Sequence, residues 1–237
     1  MMLNQINIEN ILFIDIETVP EYPSYDDMPD NFKMLWDKKA ESLKKEENDT
    51  PDILYSRAGI YSEFGKIICI SAGFFRNKEF RIKSFYSDDE KNILNEFAEL
   101  LNTYYNTRKY LLCAHNGKEF DFPYLSRRML INDIKLPDLL NMSGKKPWEI
   151  PHLDTMELWK FGDYKHYTSL ELLATVFNIP TPKDDIKGSD VARVYWDEKD
   201  LQRIVKYCQK DVITIAQLML KYKRKPLLQE ENITVIS

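Results

Sequence analysis

The stretch Ile11-Leu-Phe-Ile-Asp-Ile-Glu-Thr18 decides the fold. Four apolar residues lead into two acids. Side chains alternate across a β-strand, so Asp15 and Glu17 share one side while Ile14 and Ile16 turn into the core. A run this apolar and β-branched suits a central strand buried on both faces. Two carboxylates on such a strand repel one another and lose hydration, so something must neutralise them, and a divalent metal is the natural candidate. The plainer reading is a strand that ends in a polar turn, and Asp-x-Glu alone does not decide between the two. Asp88-Asp-Glu90 carries the same pattern and reads only as acids in the first turn of a helix.

The chain around this strand has 237 residues, enough for one well-filled core and short for two full domains. No internal repeat or low-complexity tract interrupts it. The longest uncharged apolar stretch, 67–75, is too short to cross a bilayer, and the first ten residues lack the basic start and apolar block of a signal peptide. Cys69, Cys113 and Cys208 lie far apart, which suggests neither a zinc site nor a disulfide framework and fits a cytoplasmic location. A net charge of −5 argues against a general nucleic-acid coat protein. It leaves open an enzyme that binds nucleic acid locally, with metal ions offsetting the phosphates.

After the first strand, 19–64 reads as a helical insertion: a charged helix from Asp30 to about Asn48, then Thr50-Pro51 as N-cap and first residue of a second helix. Its lysines alternate with acids, as on a solvated face. Strands follow over 66–75 and 79–86, joined by a hairpin turn at Arg76-Asn77-Lys78. Ser87-Asp-Asp-Glu90 resembles a capping box opening an apolar-striped helix. A short strand spans 110–115, a helix runs from about Phe122 to Asn132, and another begins around Leu153-Asp154. Shorter helices are expected over 169–177 and 189–195, and the longest from Asp197 to about Lys221; the tail after Pro226 has no assigned structure. This βββαβα order, with further helices on the sheet, fits a mixed α/β fold of the ribonuclease H kind.

Two more acids matter. In Cys113-Ala-His-Asn116-Gly-Lys118-Glu-Phe120-Asp121 a strand gives way to a helix, and Asp121 would stand at the helix N-terminus. An isolated Asp there is usually an N-cap. If this strand pairs beside the first, however, its end comes close to Asp15. On the long C-terminal helix, Tyr207 and Asp211 are four apart and share a face. That pattern is cheap too: Tyr22 and Asp26 match it with Pro23 between them.

Together and in this order, Asp-x-Glu on the first strand, Asn-x-x-x-Phe-Asp at a strand-to-helix turn and Tyr-x-x-x-Asp on a late helix resemble the DEDD 3′–5′ exonucleases. The tyrosine suggests the DEDDy branch, because a histidine-type member would carry His where this chain has Lys206. Phe-Asp-Phe-Pro-Tyr-Leu and Tyr-Cys-Gln-Lys-Asp-Val look most like the proofreading domains of family B DNA polymerases, and more closely like stand-alone bacterial proteins related to that domain. The resemblance runs from about Ile11 to Leu220. It implies two divalent ions, Mg²⁺ or Mn²⁺, about 3.5–4 Å apart, one activating water and one holding the leaving oxygen. It also implies that Asp15 bridges both ions, that Glu17 and Asp211 complete the first site, and that Asp121 holds the second. Tyr207 would position the attacking water. The implied partner is single-stranded nucleic acid, DNA 3′ ends above all, with no membrane.

Other candidates have ordinary readings beside the functional one. Asn116 and Phe120 could line the terminal nucleotide, though a turn-forming Asn and a core Phe read as well. Lys118, Arg127, Lys145 and Lys146 could touch phosphate, but most surface cations are simply solvated. Asp154 reads first as a cap, and His115, His152 and His166 show no metal-ligand spacing. A silent nuclease fold acting as a binding subunit is the alternative from another class, and the presence of all four acids and the tyrosine weighs against it. RNA trimming is a further alternative. The insertion is expected to cover the site and select unpaired ends.

Overall fold

The computed structural model describes residues 3–163, 167–180 and 186–236; His166 lies outside them. Six strands build one sheet: β1 (Ile11–Pro20), β2 (Gly65–Arg76), β3 (Glu79–Tyr86), β4 (Leu111–Ala114), β5 (Leu153–Asp154) and β6 (Ile233–Ile236), in the order β5-β4-β1-β2-β3-β6. β1, β2 and β3 are antiparallel neighbours. β4 runs parallel to β1, β5 parallel to β4, and β6 parallel to β3. The helices are α1 (Asp30–Leu43), α2 (Pro51–Leu54), α3 (Glu90–Tyr104), α4 (Asp121–Ile131), α5 (Thr155–Lys160), α6 (Leu170–Val176), α7 (Val191–Trp196) and α8 (Leu201–Tyr222).

The period-2 pattern of β1 does what it predicts. Leu12, Ile14 and Ile16 join Phe97 of α3 and Phe122 and Leu125 of α4 in one core layer. Phe13 turns the other way, onto Val212, Ile215 and Met219 of α8. In the register of β1 against β2, Asp15 faces Ser71 and Glu17 faces Cys69. Both acids therefore stand on the α8 side of the sheet, and a bulge follows Glu17.

The segment between β1 and β2 has its own apolar cluster. Trp36 of α1 is fully buried there against Tyr55, Tyr61 and Phe64, and its indole N–H donates to the Pro51 carbonyl. Two side chains of α4 fasten this segment to the sheet. The Tyr124 hydroxyl donates to the Gly59 carbonyl at 2.8 Å, where the backbone comes so close to Val19 that a Cβ on Gly59 would sit 2.9 Å from it. Arg128, buried, donates to both oxygens of Glu90, to the Ser62 carbonyl and to Glu21. Glu90 in turn accepts from the Ile67 N–H of β2. Removing one partner of a buried ion pair strands the other charge, at a cost of about 3–5 kcal/mol. Arg128→Ala is accordingly expected to lower the urea midpoint substantially, and an unchanged midpoint would contradict this account.

Four local expectations need correction. Asp89, not Ser87, caps α3 through the Lys91 and Asn92 N–H groups, and Glu90 is drawn inward by Arg128 instead of completing a capping box. Thr50 makes no side-chain cap to α2, although Pro51 does take its first position. α8 starts at Leu201 with Asp200 as its cap, the backbone turning at Lys199 with φ of 56°. The tail forms β6, whose four residues pair with Phe80–Lys83 along the outer edge of β3.

Candidate active site

The acids arrive from three separated segments. Asp15 and Glu17 stand on β1, Asp121 is the first residue of α4, and Tyr207 and Asp211 lie on α8. β4 pairs with β1 only over Ile11–Phe13. Beyond Phe13 the Asp121 carboxylate accepts the backbone N–H of Ile16, which fixes it beside the two β1 acids. The Asp15 and Glu17 carboxylates share a hydrogen bond, and the Tyr207 hydroxyl bonds to the Asp211 carboxylate one turn along α8. Glu17 and Asp121 are buried, whereas Asp15, Asp211 and Tyr207 keep partial access to solvent.

Their electrostatics follow from that crowding. Burial, with Glu17, Asp211 and Asp121 adding repulsion, raises the pKa of Asp15 well above the carboxylate range. Burial and then Asp211 do the same to Glu17. The Asp121 carboxyl is pushed up to about 7, chiefly by burial, with Asp154 and Asp211 adding repulsion and the Ile16 N–H opposing it. Tyr207 is raised far above the tyrosine range by burial first and by Asp211, Glu17 and Asp15 after it. Such a donor set, oxygen-rich and short of positive charge, fits a hard divalent cation.

One neighbour escapes sequence reasoning. Cys208 reads as one more apolar residue of the α8 stripe, yet its sulfur and a carboxylate oxygen each of Asp15 and Glu17 all lie within 4.8 Å of one another. Its thiol donates to the Asp15 carbonyl at 3.4 Å.

The turn before α4 is braced by a fourth segment. Asp154 caps α5 through the Met156 and Glu157 N–H groups and also accepts from the N–H groups of Asn116 and Lys118. The cap reading holds, and the same carboxylate shapes the turn that delivers Asp121. Asn116 takes φ of 62°, and its Oδ1 is buried without a protein partner. Phe120 packs against Tyr124 at the edge of the core. Lys118 turns aside, its ammonium 2.6 Å from Glu157. Arg127, Lys145 and Lys146 are exposed. His115 bonds Thr155 and the Thr168 carbonyl, and His152 bridges the Leu112 N–H and the Leu139 carbonyl, so both are held by the scaffold.

A mixed sheet in this order, helices on both faces and carboxylates gathered on the central strand define a ribonuclease H-like α/β protein. The chain belongs to a family described as predicted 3′–5′ exonucleases related to the exonuclease domain of PolB, which matches residues 60–232. That segment carries Asp121, Tyr207 and Asp211, while β1 precedes it. A DNA polymerase of Pyrococcus glycovorans is 26% identical over 121 residues, covering 46% of this chain and 15% of the polymerase. The family B DNA polymerase of the hyperthermophilic archaeon Pyrobaculum calidifontis superposes with a TM-score of 0.56 at 16% identity, over 90% of this chain and 24% of that one. The chain thus spans a quarter or less of either polymerase. Among the described residues, no helix is long and apolar enough to cross a membrane.

Proposed function

We propose that this chain is a metal-dependent 3′–5′ exonuclease that removes nucleotides from the 3′ end of single-stranded or frayed DNA. It would do so as one domain, with 19–64 as an insertion. The observation that carries the reading is the meeting of Asp15, Glu17, Asp121 and Asp211 on one side of β1, where Asp121 and Asp211 each raise the proton affinity of both Asp15 and Glu17. Asp15, Glu17 and Asp211 would hold one Mg²⁺ or Mn²⁺ ion, and Asp15 with Asp121 a second. Two such ions activate a water and stabilise the leaving 3′ oxygen.

The chain's own groups do the rest. Tyr207 keeps its proton at working pH, because burial and three carboxylates disfavour the phenolate. It therefore orients a water by hydrogen bonding and cannot serve as the base. Asn116 offers a buried, unpartnered oxygen that a terminal sugar hydroxyl would satisfy, and the Phe120 ring, packed on Tyr124, offers an apolar face. Lys118 is committed to Glu157, which leaves it a supporting place behind the turn. A cleft of about 370 Å³, bordered by Tyr25 and Tyr55 of the insertion and by Trp196, opens beyond the end of β1. Aromatic walls of this kind suit unpaired bases.

The test is a 5′-labelled single strand incubated with Mg²⁺ or with chelator. A ladder shortening from the 3′ end is expected only with metal; internal cuts, or binding without cutting, would overturn the proposal. DNA and RNA strands run in parallel decide the sugar. Tyr207→Phe is expected to slow the reaction by roughly 10- to 100-fold, the usual cost of a lost supporting hydrogen bond. Its pH–rate profile should keep the wild-type shape, since no titration of the phenol is being lost.

A further inference from the structure

Most of the donors in the acid cluster are hard oxygens, and one is not. Cys208 follows Tyr207 on α8 and is wholly buried, with its sulfur within 4.8 Å of donor oxygens from both Asp15 and Glu17. Sulfur and oxygen donors sit at about 2.3 and 2.0–2.2 Å from a zinc-class ion, so a spread of this size is close to what one ion can span. Magnesium has little use for a thiolate, whereas Zn²⁺ and Co²⁺ take sulfur, nitrogen and oxygen alike. A second thiol lies behind the first. Cys69, opposite Glu17 in the β1–β2 register, is wholly buried and hydrogen-bonds Cys208 but stands outside the three-donor group.

We propose that Cys208 is a metal-selecting ligand: with Asp15 and Glu17 it captures a thiophilic divalent ion of the zinc class, which then excludes the hard ion the reaction uses. The proposal rests on the reading of the acid cluster as a metal site. It adds that the same site discriminates between metals and that a zinc-class ion acts as a brake on it. Capture breaks the Cys208 S–H bond as the sulfur–metal bond forms: the proton passes to solvent, and the thiol gives up its hydrogen bonds to the Asp15 carbonyl and carboxylate. Cys69 is not a ligand and only supports Cys208 from behind, by packing and a hydrogen bond.

The experiment is a Co²⁺ titration of the metal-free protein followed by absorption, in wild type, Cys208→Ser, Cys208→Ala and Cys69→Ser. The expected result is an intense near-ultraviolet sulfur-to-cobalt charge-transfer band in wild type and Cys69→Ser, absent from both Cys208 variants. Loss of a supporting group alone weakens metal affinity by about 10–100-fold. Removing the sulfur should therefore raise the Zn²⁺ concentration needed to half-inhibit cleavage at fixed Mg²⁺ by at least about tenfold. Visible cobalt bands without the charge-transfer band in wild type would overturn the sulfur ligand and leave the acid site standing. A band that follows Cys69 instead of Cys208 would overturn it too. If wild type shows neither band nor a Co²⁺-dependent shift in melting temperature, the metal site falls together with its sulfur. The wild-type spectrum decides even if a variant fails to fold.

Discussion

Asp15→Ala, given Mg²⁺ and a labelled single strand, is expected to leave the strand uncut at enzyme concentrations where wild type degrades it fully. Three neighbouring acids repel Asp15: Glu17, Asp211 and Asp121 each raise its proton affinity. It is also the one expected to touch both ions. Loss of a single preorganised electrostatic group in a hydrolytic site costs about 10²–10³ in rate, and a shared ligand should cost at least that. Asp15→Asn separates charge from shape, because it keeps the side chain's volume and its place opposite Ser71. Both variants should be equally inactive. The fold must survive for the test to count, which near-ultraviolet circular dichroism checks. Full Mg²⁺-dependent cleavage by Asp15→Ala would remove the catalytic assignment of the whole cluster.

The second large effect has the opposite sign. Without metal, Asp121→Asn should be more stable than wild type at pH 8, even though it is expected to be inactive. The Asp121 carboxyl titrates at about 7 in the folded chain against an ordinary value of 3.8. A raised pKa means that the folded state holds the proton more tightly. The contribution is therefore fully present below pH 4 and is lost as pH rises through about 7. Above that, wild type keeps a buried ionised carboxylate at a cost that asparagine avoids, while the amide oxygen can still accept the Ile16 N–H. At this chain length each kcal/mol moves the melting temperature by about 2–4 °C, so a gain of several degrees is expected. The difference should shrink as pH falls toward 4. Saturating Mg²⁺ should reverse the ranking, since an ion that binds only the folded state stabilises the protein with the full donor set. A metal-free melting temperature below wild type at pH 8 would show that the carboxylate is not under electrostatic load.

How much of this could be read from residues alone depended on whether the signal was local. β1 announces itself because a period of two and an apolar run leave no other comfortable place for Asp15 and Glu17. Asp121 was legible as the first residue of a helix after a short strand. Its bond to Ile16 was not, because that partner lies on another strand. Glu90 shows the limit clearly. Three residues after a serine it looks like half of a capping box, and only an arginine 38 positions later turns it inward. Cys208 was hidden for a related reason: within an amphipathic stripe a thiol beside a carboxylate looks the same as a thiol beside a leucine. The four residues of β6 carry too little pattern to declare a strand until β3 supplies their partner. Asp154 lay between these cases, its role as a cap readable and its hold on Asn116 and Lys118 not.

The helix that begins with Asp121 ends its grip on the insertion at Arg128, two turns further along. At about 1.5 Å per residue, those seven steps make a stiff rod some 10 Å long. One end bears on the acid cluster and the other on Glu21 and Ser62. A strand of nucleic acid pressing against the insertion would thus push on a lever whose far arm carries a carboxylate.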